Sequence, residues 1–127
     1  MEKETLERMD KLVKKLSKIK SVRAIYLFGS HATGKATDDS DVDIAVLTKN
    51  SSEEEEFKIK GLWDEIFDVH VFWQLPLLIQ FRVIKEGKLI FIKDREYVKE
   101  TWIKVVREYF DFQPRVNRFY QGVLENV

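Results

Sequence analysis

The 127-residue chain contains no cysteine, which excludes disulfides and thiolate-held zinc and leaves oxygen and imidazole as the donors for any metal. Net charge is missing as well, because 22 Lys and Arg balance 22 Asp and Glu. Such a chain does not hold long nucleic acid by bulk charge, since that binding draws on counterion release from many phosphates. A local basic patch stays compatible with it. Long apolar runs are also lacking. The longest uncharged stretch, residues 69–81, contains His70 and Pro76 and falls short of the roughly 18 apolar residues that a membrane span needs. The N-terminal Met1-Glu2-Lys3-Glu4 has no apolar signal core. A soluble, cytoplasmic protein without a membrane partner is the expectation.

Apolar residues make up 44% of the chain, with nine Phe, four Tyr and three Trp, so burial can offset chain entropy and disorder is not expected. The length suits one compact domain over residues 1–127, with no repeats, low-complexity tracts or linker. Leu6, Met9, Leu12, Val13, Leu16 and Ile19 recur at helical spacing, with Lys11, Lys14, Lys15 and Lys18 around the other side. Residues 22–28 are a β-branched and aromatic run that reads as a buried strand. A polar stretch, residues 30–40, leads to a second strand over 41–47. Ser52 and Glu55 have capping-box spacing and open a helix over 53–64. A third strand is expected over 66–73, a helix over 76–86, a short strand over 88–92 and a helix over 98–109, with Pro114 opening a final helix. The fold class is α/β (α+β).

The chemistry concentrates between Gly29 and Asp43. Side chains two apart on a strand point the same way, so Asp41 and Asp43 project from one face at the lip of an otherwise apolar strand. Two unpaired carboxylates side by side repel each other, and a divalent cation removes that cost. Asp68 interrupts the apolar run of the third strand and supplies a third acid if the two strands are neighbours. Two hard cations held ~3.5–4 Å apart by such a set would clamp the attacking and leaving oxygens of an in-line phosphoryl displacement. Mg²⁺ suits these oxygen ligands, with Mn²⁺ as a substitute. Gly29 and Ser30 complete the arrangement: glycine lets backbone approach a triphosphate closely, and the serine hydroxyl with adjacent amides binds its oxygens.

Gly29-Ser30, ten intervening residues and then Asp41-Val42-Asp43 resemble the signature of the polymerase-beta-type nucleotidyltransferase superfamily. The short chain, Ser40 before Asp41, a third Asp in an apolar strand and the C-terminal portion from Glu86 are similar to its minimal nucleotidyltransferase (MNT) branch. The resemblance implies a small mixed sheet flanked by helices. It also implies transfer of a nucleoside monophosphate, AMP from ATP or its counterpart from another NTP, with release of pyrophosphate. Many members of that branch are antitoxins paired with HEPN-domain toxins, and some adenylylate a tyrosine of the partner. On this reading Asp41 and Asp43 hold both ions, Asp68 completes the catalytic one and takes the acceptor proton, and Gly29 and Ser30 fix the terminal phosphates. A homodimer or hetero-oligomer is compatible with the sequence. The rival function is a non-catalytic antitoxin that neutralises a HEPN partner by occlusion.

Three plainer readings compete. Gly29 to Lys35 matches a Walker A loop, but Ala36 stands where a hydroxyl should bind Mg²⁺, and too few residues separate Lys35 from the next strand for a parallel crossover. An EF-hand loop from Asp39 fails at Ile44 and Asn50. A solvated acidic turn accounts for Asp38 and Asp39, which receive no role. Lys35 reads first as a solvated loop lysine, with a phosphate contact as the alternative. His70 faces the same side as Asp68 and reads first as a satisfied core histidine, with a hydrogen bond to a ligand carboxylate as the alternative. The aromatic group at residues 109–120 reads as core or partner surface.

Overall fold

The structure is a computed structural model that describes residues 1–37 and 41–125, with the side chains of Gln113, Val116, Phe119, Tyr120, Val123 and Leu124 excepted. The turn at Asp38, Asp39 and Ser40 therefore lies outside the described residues, as do the side chains of Phe119 and Tyr120 from the C-terminal aromatic group.

The elements follow in the order α1 (Lys3–Ser17), β1 (Val22–Phe28), α2 (Ser30–Thr33), β2 (Val42–Thr48), α3 (Glu53–Lys60), β3 (Phe67–Val71), α4 (Leu77–Glu86), β4 (Lys88–Ile92) and α5 (Arg95–Glu125). The four strands form a mixed sheet in the order β3-β2-β1-β4. β1 runs antiparallel to β2 and to β4, whereas β2 and β3 are parallel and joined through α3. This is a small mixed sheet flanked by helices. The antiparallel β1–β2 pair removes the Walker A reading, which requires a parallel crossover after the loop.

Strand alternation assigns the two faces. Ile25, Leu27, Ile44, Val46, Val69 and Val71 point to the side covered by Leu12 and Leu16 of α1 and Ile59 of α3. Ala24, Tyr26, Ala45 and Leu47 point to the other side, beneath Val83 of α4 and Val105 of α5. β2 is thus buried on both faces from Ile44 onward. Each fully buried aliphatic side chain in these two layers contributes about 1.5–3 kcal/mol of transfer free energy.

Local chemistry explains where elements stop. Ser52 and Glu55 form a reciprocal capping box at the start of α3. The helix ends at Lys60 rather than residue 64, because Asp64 Oδ1 accepts from the backbone N–H groups of Ile66 and Phe67 at 2.8 Å each and turns the chain into β3. β3 ends at Val71 instead of 73. The chain there winds into a 3₁₀ turn over Phe72–Gln74, from which Trp73 Nε1 donates to the carbonyl of Thr48 at 2.8 Å. Leu6, expected on the apolar stripe of α1, is exposed; the first buried side chain along the helix is Leu12. Pro114 does not open a separate helix: α5 runs through it for 31 residues. Proline costs a helix one N–H and a clash with the preceding turn. Asp111, Phe112, Pro114 and Arg115 are all exposed, so this irregularity falls outside the packed core.

Candidate functional site

Gly29 ends β1 in a conformation that favours glycine, with φ 78° and ψ −152°. A single helical turn follows over Ser30–Thr33, closed by Gly34 in the left-handed region at φ 78° and ψ 11°. This turn replaces part of the expected polar loop. Phe28, the last residue of β1, pairs with Asp43 of β2. A Cβ at position 29 would fall directly against Asp43 Oδ2 and 3.3 Å from its Cγ. Glycine at this position leaves the space that the Asp43 carboxylate occupies.

Asp43 and Asp68 are register partners on adjacent parallel strands, and both alternate onto the face that carries α4 and α5. One donor atom from each of Asp43, Asp68 and His70 lies within 4.8 Å of the others. His70 Nε2 is 3.1 Å from Asp68 Oδ2, and both side chains retain access to solvent. The Asp43 carboxyl is raised above the ordinary aspartate value by its burial first and then by Asp68, with Asp41 adding to the effect. His70 and His31 pull it the other way. Asp41 sits exposed one residue before β2, outside the trio of donors but near enough to act on Asp43. Ser30 is half-buried at the start of its turn. Lys35 is exposed. A cavity of about 370 Å³ opens beside Asp41 and His31, lined also by Glu2, Thr5 and Glu65. It does not include Asp43 or Asp68.

The donor chemistry fits a divalent cation: two carboxylates and an imidazole converge where burial and then the neighbouring acids already disfavour the charge on Asp43. The reading of His70 as a satisfied core histidine gives way to a half-exposed side chain in contact with an acid. Its spacing from Asp68, two residues along one strand, was the available signal.

Comparison with known families gives the class of protein that carries this acid pair and glycine turn. The family model for polymerase beta nucleotidyltransferases matches residues 10–96. The chain belongs to the polymerase beta nucleotidyltransferase family, and its enzyme class is nucleotidyltransferase. A Methanocaldococcus jannaschii protein named "Putative protein adenylyltransferase" is 32% identical over 108 residues, spanning 84% of this chain and 85% of its own length. Among solved structures, a toxin–antitoxin crystal structure with AMP-PNP superposes with a TM-score of 0.70 at 23% identity, over 90% of this chain and 97% of its own. An MNT antitoxin in complex with a tri-AMPylated HEPN toxin of Shewanella oneidensis gives 0.65 at 21% identity, over 93% and 94% of the two chains. These structures share the fold. Among the described residues, no helix is long and apolar enough to cross a membrane.

Proposed function

We infer that this chain transfers AMP from ATP to a hydroxyl of a partner protein, a tyrosine of a HEPN-type toxin, and so acts as an antitoxin. The observation that carries the reading is the Asp43–Asp68 pair, register partners on parallel strands with Gly29 against the Asp43 carboxylate. Family membership supports the reaction class, and the name of the M. jannaschii relative supports a protein acceptor. The AMPylated HEPN toxin held by a neighbour of the same fold supports the partner.

In this reading Asp41, Asp43 and Asp68 would hold two Mg²⁺ ions, with Mn²⁺ able to substitute. The ions, when bound, neutralise the crowded carboxylates and the charge that develops on the phosphate oxygens. Gly29 brings backbone close to the triphosphate, and the Ser30 hydroxyl donates to an oxygen at its far end. The acceptor oxygen forms a bond to the α-phosphorus as the bond from that phosphorus to the α–β bridging oxygen breaks. Pyrophosphate leaves with the electron pair, and the hydroxyl proton passes to the Asp68 carboxylate.

The test is to incubate the protein with ATP, Mg²⁺ and the HEPN-type product of a neighbouring reading frame, then weigh the products by intact mass spectrometry. AMP adducts on the neighbour, absent with Asp41→Asn, support the reading. Neutralisation of the neighbour without a mass change, by wild type and Asp41→Asn alike, sinks it and leaves occlusion.

A further inference from the structure

We propose that His70 is a direct metal ligand, and that its imidazole makes the site hold Mn²⁺ more tightly than the same site without it, with little effect on Mg²⁺. The inference rests on the metal-dependent reading above and adds a residue that the acid pattern does not contain.

The geometry begins with the sheet order. His70 lies on β3 and Phe28 on β1, with β2 between them. Adjacent strands are ~4.8 Å apart, so residues on β1 and β3 start roughly 10 Å apart. The two ring centroids are nevertheless 5.7 Å apart, with the planes tilted by 59°. The rings therefore lean toward each other across β2. Ala45, the register partner of His70, makes this possible, because a larger side chain on that face would fill the space over the strand. Phe28 is itself the register partner of Asp43. Its contact thus holds the imidazole over the strand that carries Asp43, beside Asp68, rather than turned out to solvent.

The distance also suits coordination. Nε2 is 3.1 Å from Asp68 Oδ2. Two adjacent corners of an octahedron with bonds of about 2.1 Å are separated by roughly 3 Å. The donor atoms of Asp43, Asp68 and His70 all lie within 4.8 Å of one another, and opposite ligands of one ion with such bonds are about 4.2 Å apart, so a slight closing of the trio brings all three to one ion. A site built from carboxylates alone serves Mg²⁺ and Mn²⁺ on similar terms. An imidazole adds a softer donor, which first-row transition ions accept more readily than Mg²⁺ does.

The experiment uses the full chain, freed of metal by chelation, with Mn²⁺ and Mg²⁺ as probes. Pulsed electron paramagnetic resonance on the Mn²⁺-loaded protein should show modulation from a directly bound imidazole ¹⁴N. The signal should persist in His31→Gln, the chain's other histidine, and vanish in His70→Gln. Glutamine retains a hydrogen-bond donor for Asp68, so a residue that only oriented that acid would be replaced by it. By calorimetry, His70→Gln should weaken Mn²⁺ binding by at least the roughly 10- to 100-fold that loss of an outer-shell partner costs, and change Mg²⁺ binding by less than about twofold. Absent ¹⁴N modulation in wild type, or modulation that survives His70→Gln, overturns the proposal while the acid site stands. Equal losses for both ions in His70→Gln overturn it too. A wild-type protein that binds neither ion refutes the metal-dependent reading itself.

Discussion

Replacing Gly29 by alanine separates the backbone role of this residue from its role at the site. Two effects act at position 29. Its backbone, at φ 78° and ψ −152°, occupies a region left almost entirely to glycine, where another residue costs about 1–3 kcal/mol. The new Cβ would also meet Asp43 Oδ2. The carboxylate is the free end of a side chain and can rotate away, so the collision adds little to the stability cost but removes Asp43 from the donor set. Gly34→Ala is the internal control. It too has φ 78°, but its ψ of 11° is ordinary left-handed backbone, and nothing lies within 4 Å of a Cβ there. The left-handed penalty of about 1–2 kcal/mol is partly offset by the ~0.4–1 kcal/mol that alanine gains through a less flexible unfolded chain. The same offset applies at position 29, so with roughly 3–5 °C per kcal/mol for a domain of this size, Gly34→Ala should melt about 0–8 °C low and Gly29→Ala about 0–13 °C low. Differential scanning calorimetry reads the stabilities, and calorimetric titration with Mn²⁺ reads the site. Gly29→Ala should lose tenfold or more in affinity, whereas Gly34→Ala should bind as wild type does. Equal metal binding by the two variants would refute the argument that position 29 is kept bare for Asp43.

Asp43→Asn should stabilise the metal-free protein by about 0.5–1 kcal/mol, the scale of a like-charge pair relieved across neighbouring strands. The wild-type Asp43 carboxyl is raised above 3.8, so the folded state binds more protons there and stability falls as pH rises through that window; the advantage of asparagine should therefore be small in acid and reach its plateau toward neutral pH, as followed by melting temperature. Asp64 behaves in the opposite sense. Its partial burial raises the carboxyl, but the Phe67 and Ile66 N–H groups and then Arg8 outweigh this and hold it below 3.8. Its contribution is thus present above that value and lost as pH falls through the lowered one. Asp64→Ala should cost about 1–2 kcal/mol in urea unfolding at pH 7, while Asp64→Asn, which keeps an acceptor for both N–H groups, should cost under ~1 kcal/mol because the Arg8 pair is exposed. Pro114→Ala should leave helical circular dichroism almost unchanged while raising the melting temperature, since α5 already runs through the proline and alanine restores one N–H and removes a local penalty of about 3 kcal/mol; a large gain in ellipticity would mean that the proline breaks the helix in solution.

The strands and most helices were legible because their causes are local. A β-branched run ending at Gly29, the Ser52–Glu55 cap and the amphipathic repeat of α1 act over a few residues, and each is present in the structure. The ends were less legible where a distant partner sets them. β3 stops at Val71 because Trp73 turns to the Thr48 carbonyl, 25 positions back in the chain, and no periodicity within residues 66–73 records that bond.

For the candidate site, the sequence by itself determined the cast of acids. Asp43 and Asp68 break apolar strands, Asp41 stands just before one, and Gly29 with Ser30 marks the turn, because charge and backbone freedom are properties of single residues. Only the tertiary structure decided which of them meet. The parallel register brings Asp68 opposite Asp43, leaves Asp41 outside the nearest trio and lets His70 lean over Ala45 toward Phe28. Those contacts join three strands separated in the chain, and strand pairing is fixed by the packing of both sheet faces at once rather than by any local pattern.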